Sequence, residues 1–125
     1  MNPTFNAIST MTSAGSKGYF IVRAGESYEW STREEDGGST DYIAQLTLFR
    51  PPDTTPVCHD IGNGGSGAFI AWTAPVDGSV YIGLNEHPCL GNTTPSVVTW
   101  RCASCPDLTA VLVPDSGSNE VACGN

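Results

Sequence analysis

The chain has 125 residues and a formal charge of −8, from 13 Asp and Glu against 5 Lys and Arg, with Lys17 its only lysine. That length makes one domain with its own core and leaves no room for a separate catalytic half. The charge excludes a surface that neutralises rows of phosphates, so neither nucleic acid nor an anionic membrane is an expected partner.

Period-2 alternation recurs along the chain, and no window sustains a 3.6-residue period. With 14 Gly and 9 Pro as punctuation, this predicts an all-β fold, an antiparallel β-sandwich, jelly-roll-like, of about eight or nine strands. The first strand, Thr4–Thr10, leads into Thr12-Ser13-Ala14-Gly15-Ser16, a flexible connector in composition. Residues 1–16 are therefore read as an N-terminal strand and connector, a candidate donor strand anchored by Phe5 and Ile8. Residues 17–125 are read as a single β-sandwich domain with a C-terminal hairpin.

Further strands are expected at Gly18–Arg23, Ser27–Thr32, Tyr42–Arg50, Ala68–Thr73, Ser79–Glu86, Ser96–Cys102 and Leu108–Val113, with a short return at Asn119–Cys123. Their inward sets are Phe20/Val22, Tyr28/Trp30, Ala44/Leu46/Leu48, Ile70/Trp72, Val80/Ile82/Leu84 and Val98/Trp100, enough for two facing layers. Between them, Ala24-Gly25 is a tight turn, Arg33–Thr40 an acidic loop, and Asp77-Gly78 the turn of a hairpin. Pro51–Ser66 is long and rich in Pro and Gly, which makes it the loop where function is sought. No run approaches the ~18 apolar residues of a membrane span, so no membrane insertion is expected.

Five cysteines in a Lys-poor, turn-rich domain favour an oxidising compartment. The expected location is extracellular, secreted or at the cell surface. If the four central strands alternate in direction, the loops that hold Cys58 and Cys89 meet at one end, so a Cys58–Cys89 bridge is feasible. Cys102 lies roughly 20 Å from Cys89 at ~3.3 Å per residue, too far for a bond that needs Cα atoms within ~7 Å. Cys105 and Cys123 flank the terminal hairpin and form a second candidate pair. Cys102 is then the odd thiol, with three readings: buried and free, bonded between chains, or joined to Cys105.

The chemical candidates are sparse. His59-Asp60 and Ser66 name the parts of a hydrolytic triad, but Gly64-Gly65-Ser66-Gly67-Ala68 lacks the last glycine of a nucleophile elbow. Cys102-x-x-Cys105 has zinc-like spacing without a second pair. Acidic loops make Asp36, Asp41 and Asp60 weak calcium candidates without EF-hand spacing. The expectation is no enzyme, no resident metal and no cofactor. Asn92-Thr93-Thr94 is an N-x-T sequon, and Asp53-Thr54-Thr55 places Thr54 as an O-glycan candidate. Trp30, Trp72 and Trp100 fall in inward register and read as core, so a sugar platform would use Tyr19, Tyr42 or Tyr81.

Four landmarks carry a resemblance over roughly Gly18 to Cys102: V-R-A-G-E-S-Y-E-W-S (Val22–Ser31), D-Y-I-A-Q-L-T-L-F (Asp41–Phe49), W-T-A-P-V-D-G-S-V-Y-I-G-L-N-E (Trp72–Glu86) and V-T-W-R-C (Val98–Cys102). In order and spacing the chain resembles secreted bacterial β-sandwich modules akin to the pre-peptidase C-terminal domains of Bacteroidota cell-surface proteins. The resemblance implies a non-catalytic appendage or surface component, some relatives of which bind calcium or polysaccharide. The chain departs from the pattern at Arg33, where the family has a cysteine that would face Cys102, and at His59-Asp60, where it has a fuller acidic run that would serve calcium. Two functions follow as expectations. The first is a structural subunit of a surface filament or adhesive assembly, a homo-oligomer built head to tail by strand addition and bearing glycans. The second is an accessory carbohydrate- or protein-binding module of a secreted bacterial enzyme.

Overall fold

A computed structural model describes residues 5–8, 11–50, 58–62, 67–104 and 111–113, with the backbone alone for 58–60 and 111–113. The strands are β1 (Asn6–Ala7), β2 (Ser16–Val22), β3 (Ser27–Ser31), β4 (Ala44–Phe49), β5 (Cys58–Ile61), β6 (Phe69–Thr73), β7 (Gly78–Glu86), β8 (Thr99–Cys102) and β9 (Val111–Val113), with one 3-10 turn at Glu34–Asp36. They form two antiparallel sheets, the first in the order β1-β8-β3-β6 and the second in the order β5-β4-β7-β2-β9. The pairing is nested: β1 with β8, β2 with β7, β3 with β6, and β4 with β5. The chain is thus folded like one long hairpin rolled up on itself.

The inward residues fill one core. Phe20, Val22, Tyr28, Trp30, Ala44, Leu46, Leu48, Ile70, Val80, Ile82, Leu84, Val98 and Trp100 are buried, while Trp72 packs against them half-buried. Phe20 of the second sheet meets Trp30 and Trp100 of the first at centroid distances of 5.6 and 5.1 Å. Each such aromatic contact adds about 0.5–1.5 kcal/mol beyond the area it buries, so these rings stitch the two layers together.

Three expectations change. The strand expected at Thr4–Thr10 shortens to Asn6–Ala7, and β5 arises inside the segment read as a long loop. Cys-His-Asp-Ile is too short and polar to show alternation, and it becomes a strand only because β4 offers it a partner, Leu48↔Cys58 through Gln45↔Ile61. The connector is also pinned: Ala14 N donates to Asn92 O (3.1 Å), Gly15 N to Leu84 O (2.6 Å) and Ser96 N to Thr12 O (2.8 Å). Its small polar residues supply backbone groups that the neighbouring strand and loop consume. The return expected at Asn119–Cys123 lies outside the described residues.

Candidate functional site: the N-terminal plug and the sandwich rim

The N-terminal segment closes its own domain. Asn6 and Ala7 pair with Trp100 and Thr99 of β8, and Ile8 N donates to Val98 O at 2.8 Å. Beyond that short ladder the chain turns inward, with Met11 N donating to Ile8 O at 3.1 Å, and both side chains enter the core. Gly18 makes the space: a Cβ there would lie 3.1 Å from Met11 Sδ and 3.3 Å from Ile8 Cγ2. Ile8 is buried in the core of its own domain. Phe5 stays half-buried on the outer face, its ring 4.3 Å from the Arg101 guanidinium, whose Nε donates to Glu29 Oε1 at 2.6 Å. Met11 was missed because it lies off the period-2 register; the spacing of Ile8 and Met11 fits a turn, not a strand.

The cysteines revise the bridge argument. β4 begins beside Glu86 and ends beside Tyr81, and Cys58 pairs with Leu48 near the close of β4, toward the end away from Cys89. Counting strand directions without β5 had reversed it. Cys89 and Cys102 are each disulfide-bonded. Cys102, opposite Tyr28, sits at the end where Arg23 N donates to the Tyr28 hydroxyl, while Cys89 follows Glu86 at the other end. They therefore belong to two separate bonds. Cys102 is not the odd thiol and not a zinc ligand, and it lies far from Arg33, which follows the opposite end of β3. The pairings expected of Cys58, Cys105 and Cys123 fall on side chains outside the described residues.

The acidic candidates do not converge. Asp36 Oδ2 accepts from Ser31 Oγ (2.6 Å) and Arg33 Nε (2.9 Å), so it locks the 3-10 turn to β3. Asp41 is exposed, and among the described residues no group of three His, Cys, Asp or Glu could hold a metal ion. The side chains of His59 and Asp60, and Thr54 and Ser66 entirely, lie outside the described residues. Asn92 uses its side chain structurally: Nδ2 donates to Glu86 Oε1 (2.9 Å), and Oδ1 accepts from Thr94 N (2.8 Å).

At the rim, a cavity of about 120 Å³ is lined by Thr32, Glu34, Thr40 and Tyr42, with Gly62 and Gly67 behind them. Tyr42 is not a surface platform. Its hydroxyl lies 2.6 Å from Ser96 Oγ, and burial pushes its pKa up from the usual value. Tyr19 and Tyr81 do form a cross-strand pair at 5.2 Å on the outer face of the second sheet, with Lys17 Nζ 5.8 and 5.1 Å from their centroids. Trp30 and Trp100 belong to the core.

No protein-family model and no curated protein matches the sequence. Among the described residues, no helix is long and apolar enough to cross a membrane.

Proposed function

We propose that the chain is a non-catalytic structural module of the bacterial cell exterior, a subunit of a surface filament or adhesive assembly joined head to tail by its N-terminal strand. The plug carries this reading. Ile8 is 3% and Met11 0% exposed, yet β1 pairs over two residues at a sheet edge. A segment held deeply by side chains and thinly by backbone can make the same contacts in a neighbour, because exchange replaces each contact by its counterpart. The nested strand pairing is that of a jelly roll, an architecture that recurs in capsid and lectin domains, and kinship with pre-peptidase C-terminal-like modules is part of the same reading. Disulfide-bonded Cys89 and Cys102 support an oxidising, extracellular setting. Thr54 and Asn92 are its glycan sites.

Electron microscopy of the full chain tests the reading, with long fibres expected. A synthetic peptide of residues 1–11 in excess should cap growing ends and shorten them. Single particles at every concentration would sink the idea.

A second reading, an accessory carbohydrate- or protein-binding module, is favoured by Tyr19, half-buried on the outer face of the second sheet beside Tyr81, since a tyrosine ring suits stacking on sugars. Glycan binding that disappears in Tyr19→Ala would support it; an array without hits would remove it.

A further inference from the structure

The chain has two methionines, Met1 and Met11, and Met11 stands where the N-terminal segment enters the core. A thioether suits that place while it stays reduced, because it is apolar, polarisable and adapts to irregular gaps. Met11 is fully buried in the same apolar cluster as Ile8, Leu84 and Val98, and its sulfur sits so close to β2 that a Cβ at Gly18 would lie 3.1 Å away. Oxidation would change its character. A sulfoxide oxygen is a strong acceptor, and an apolar, close-packed interior offers it neither space nor a donor.

The hold on this residue is uneven. Deep packing retains the side chains of Ile8 and Met11, yet β1 spans two residues at the edge of its sheet and is followed by the bond from Ile8 N to Val98 O at 2.8 Å. The bond from Met11 N to Ile8 O lies within the same segment, so it adds no tie to the rest of the domain. A segment built this way opens locally at lower cost than the whole domain unfolds. Its sulfur is shielded when the segment is docked and reactive when it is not.

We propose that Met11 is an oxidation-sensitive lock on the N-terminal segment: peroxide reaches its thioether only while the segment is undocked, and the sulfoxide then bars the segment from this core and from a neighbour's. In that step Sδ attacks a peroxide oxygen, the O–O bond breaks, the S–O bond forms, and water leaves as the sulfur gives up an electron pair. No other group of the chain takes part. The lock regulates the head-to-tail exchange proposed above, and it rests on that reading only for its effect on assembly.

The test treats the full chain with dilute hydrogen peroxide and maps the added oxygen by peptide mass spectrometry, which separates Met11 from Met1. Met11 should oxidise about a hundredfold more slowly in the folded chain than in the chain unfolded by urea, at a rate that rises little in dilute urea, because local opening exposes little surface. A chain oxidised while unfolded and then refolded should exchange the amides of Asn6 and Ala7 about tenfold faster than the unoxidised chain, with β3, β4 and β7 unchanged. Met11→Leu, close in volume and without sulfur, should be indifferent to the same treatment. Met11 oxidised as fast in the folded chain as in the unfolded one, or exchange at Asn6 and Ala7 that the sulfoxide leaves unchanged, overturns the proposal. Protection lost throughout the oxidised chain overturns it as well, since the sulfur would then hold the whole fold and not one segment. Fibres that never form while oxidation still releases Asn6 and Ala7 would remove head-to-tail exchange and leave the lock standing. Fibres that grow equally from oxidised and unoxidised chain would do the reverse, so the two readings fail separately.

Discussion

On the first sheet, Glu29 and Arg101 point away from the core, stay within reach of water and pair with one another at 2.6 Å, while Ser31 and Thr99 next to them are buried where both bond to Asp36 of the 3-10 turn; Arg33 pairs with Asp36 at 2.8 Å, its guanidinium 4.0 Å from the Phe69 ring. On the second sheet, their counterparts Gln45, Thr47, Phe49 and Asn85 are as buried as the core itself. Part of the cover is the turn after β7. His87 N donates to Ile43 O (2.8 Å), Gln45 Nε2 to Cys89 Sγ (3.4 Å) and Asn85 Nδ2 to Leu90 O (3.3 Å). Alternation therefore tells which way a side chain points from its own sheet, not whether water lies there. β4 is buried along its whole length on both faces.

The largest expected effect separates the two faces directly. Phe49 is fully buried and stacks on Tyr81 at 4.9 Å, so Phe49→Ala should cost about 3–5 kcal/mol in urea denaturation, as a core aromatic does. Phe69, half-buried beneath Arg33 on the other face, should cost about 1 kcal/mol when changed to Ala. Equal losses would erase the distinction between the faces.

Thr47 tests the same cover with the opposite sign. Its hydroxyl is buried and has no hydrogen-bond partner among the described residues. An unmet buried polar group costs about 1–3 kcal/mol, and Val has nearly the same shape without it. Thr47→Val should raise the urea midpoint, a gain of about 1 kcal/mol; a loss would mean that the hydroxyl is bonded.

How much of this was legible follows from what alternation encodes. The inward set from Phe20 to Trp100 was readable because each of those residues alternates with a smaller or polar neighbour, and burial on one side needs no knowledge of the other sheet. Gln45, Thr47 and Asn85 were unreadable as buried residues, because polar side chains on the outward register signal water by default. β5 had no period to read. Met11 entered the core from a turn, and the bridge argument failed with β5, since one uncounted strand reverses every direction after it. In the N-terminal segment, Phe5 and Ile8 could be named because they are its β-prone apolar residues, whereas Met11 carried no local signal.

Tyr42 sits at the rim between these faces and makes the comparison depend on pH. Burial raises its pKa in the folded chain above the unfolded value of about 10, so the folded state holds the phenolic proton more tightly. Its contribution is fully present below that pH and is lost as the pH rises through the higher folded value. The stability difference between the native chain and Tyr42→Phe should therefore be flat to about pH 10 and fall above it. A difference unchanged at pH 11 would show that the phenol does not report on folding.

The smallest effect is expected at Arg101, where the first sheet's face meets the N-terminal segment. Its side chain is 23% and that of Glu29 19% exposed, so the pair is screened only in part. Arg101→Ala should cost about 0.5–1 kcal/mol of stability, and less in high salt. The more telling consequence is local. Arg101 is the contact that holds Phe5 outside the sheet, at 4.3 Å, while Ile8 and Met11 hold the same segment from within. Removing it should speed amide exchange at Asn6 and Ala7 several-fold and leave β3, β4 and β7 unchanged, because only the edge ladder to β8 has lost support. Uniform acceleration along the chain would instead mean that β1 opens only with the whole domain, and the N-terminal strand would then be too firmly built in to exchange.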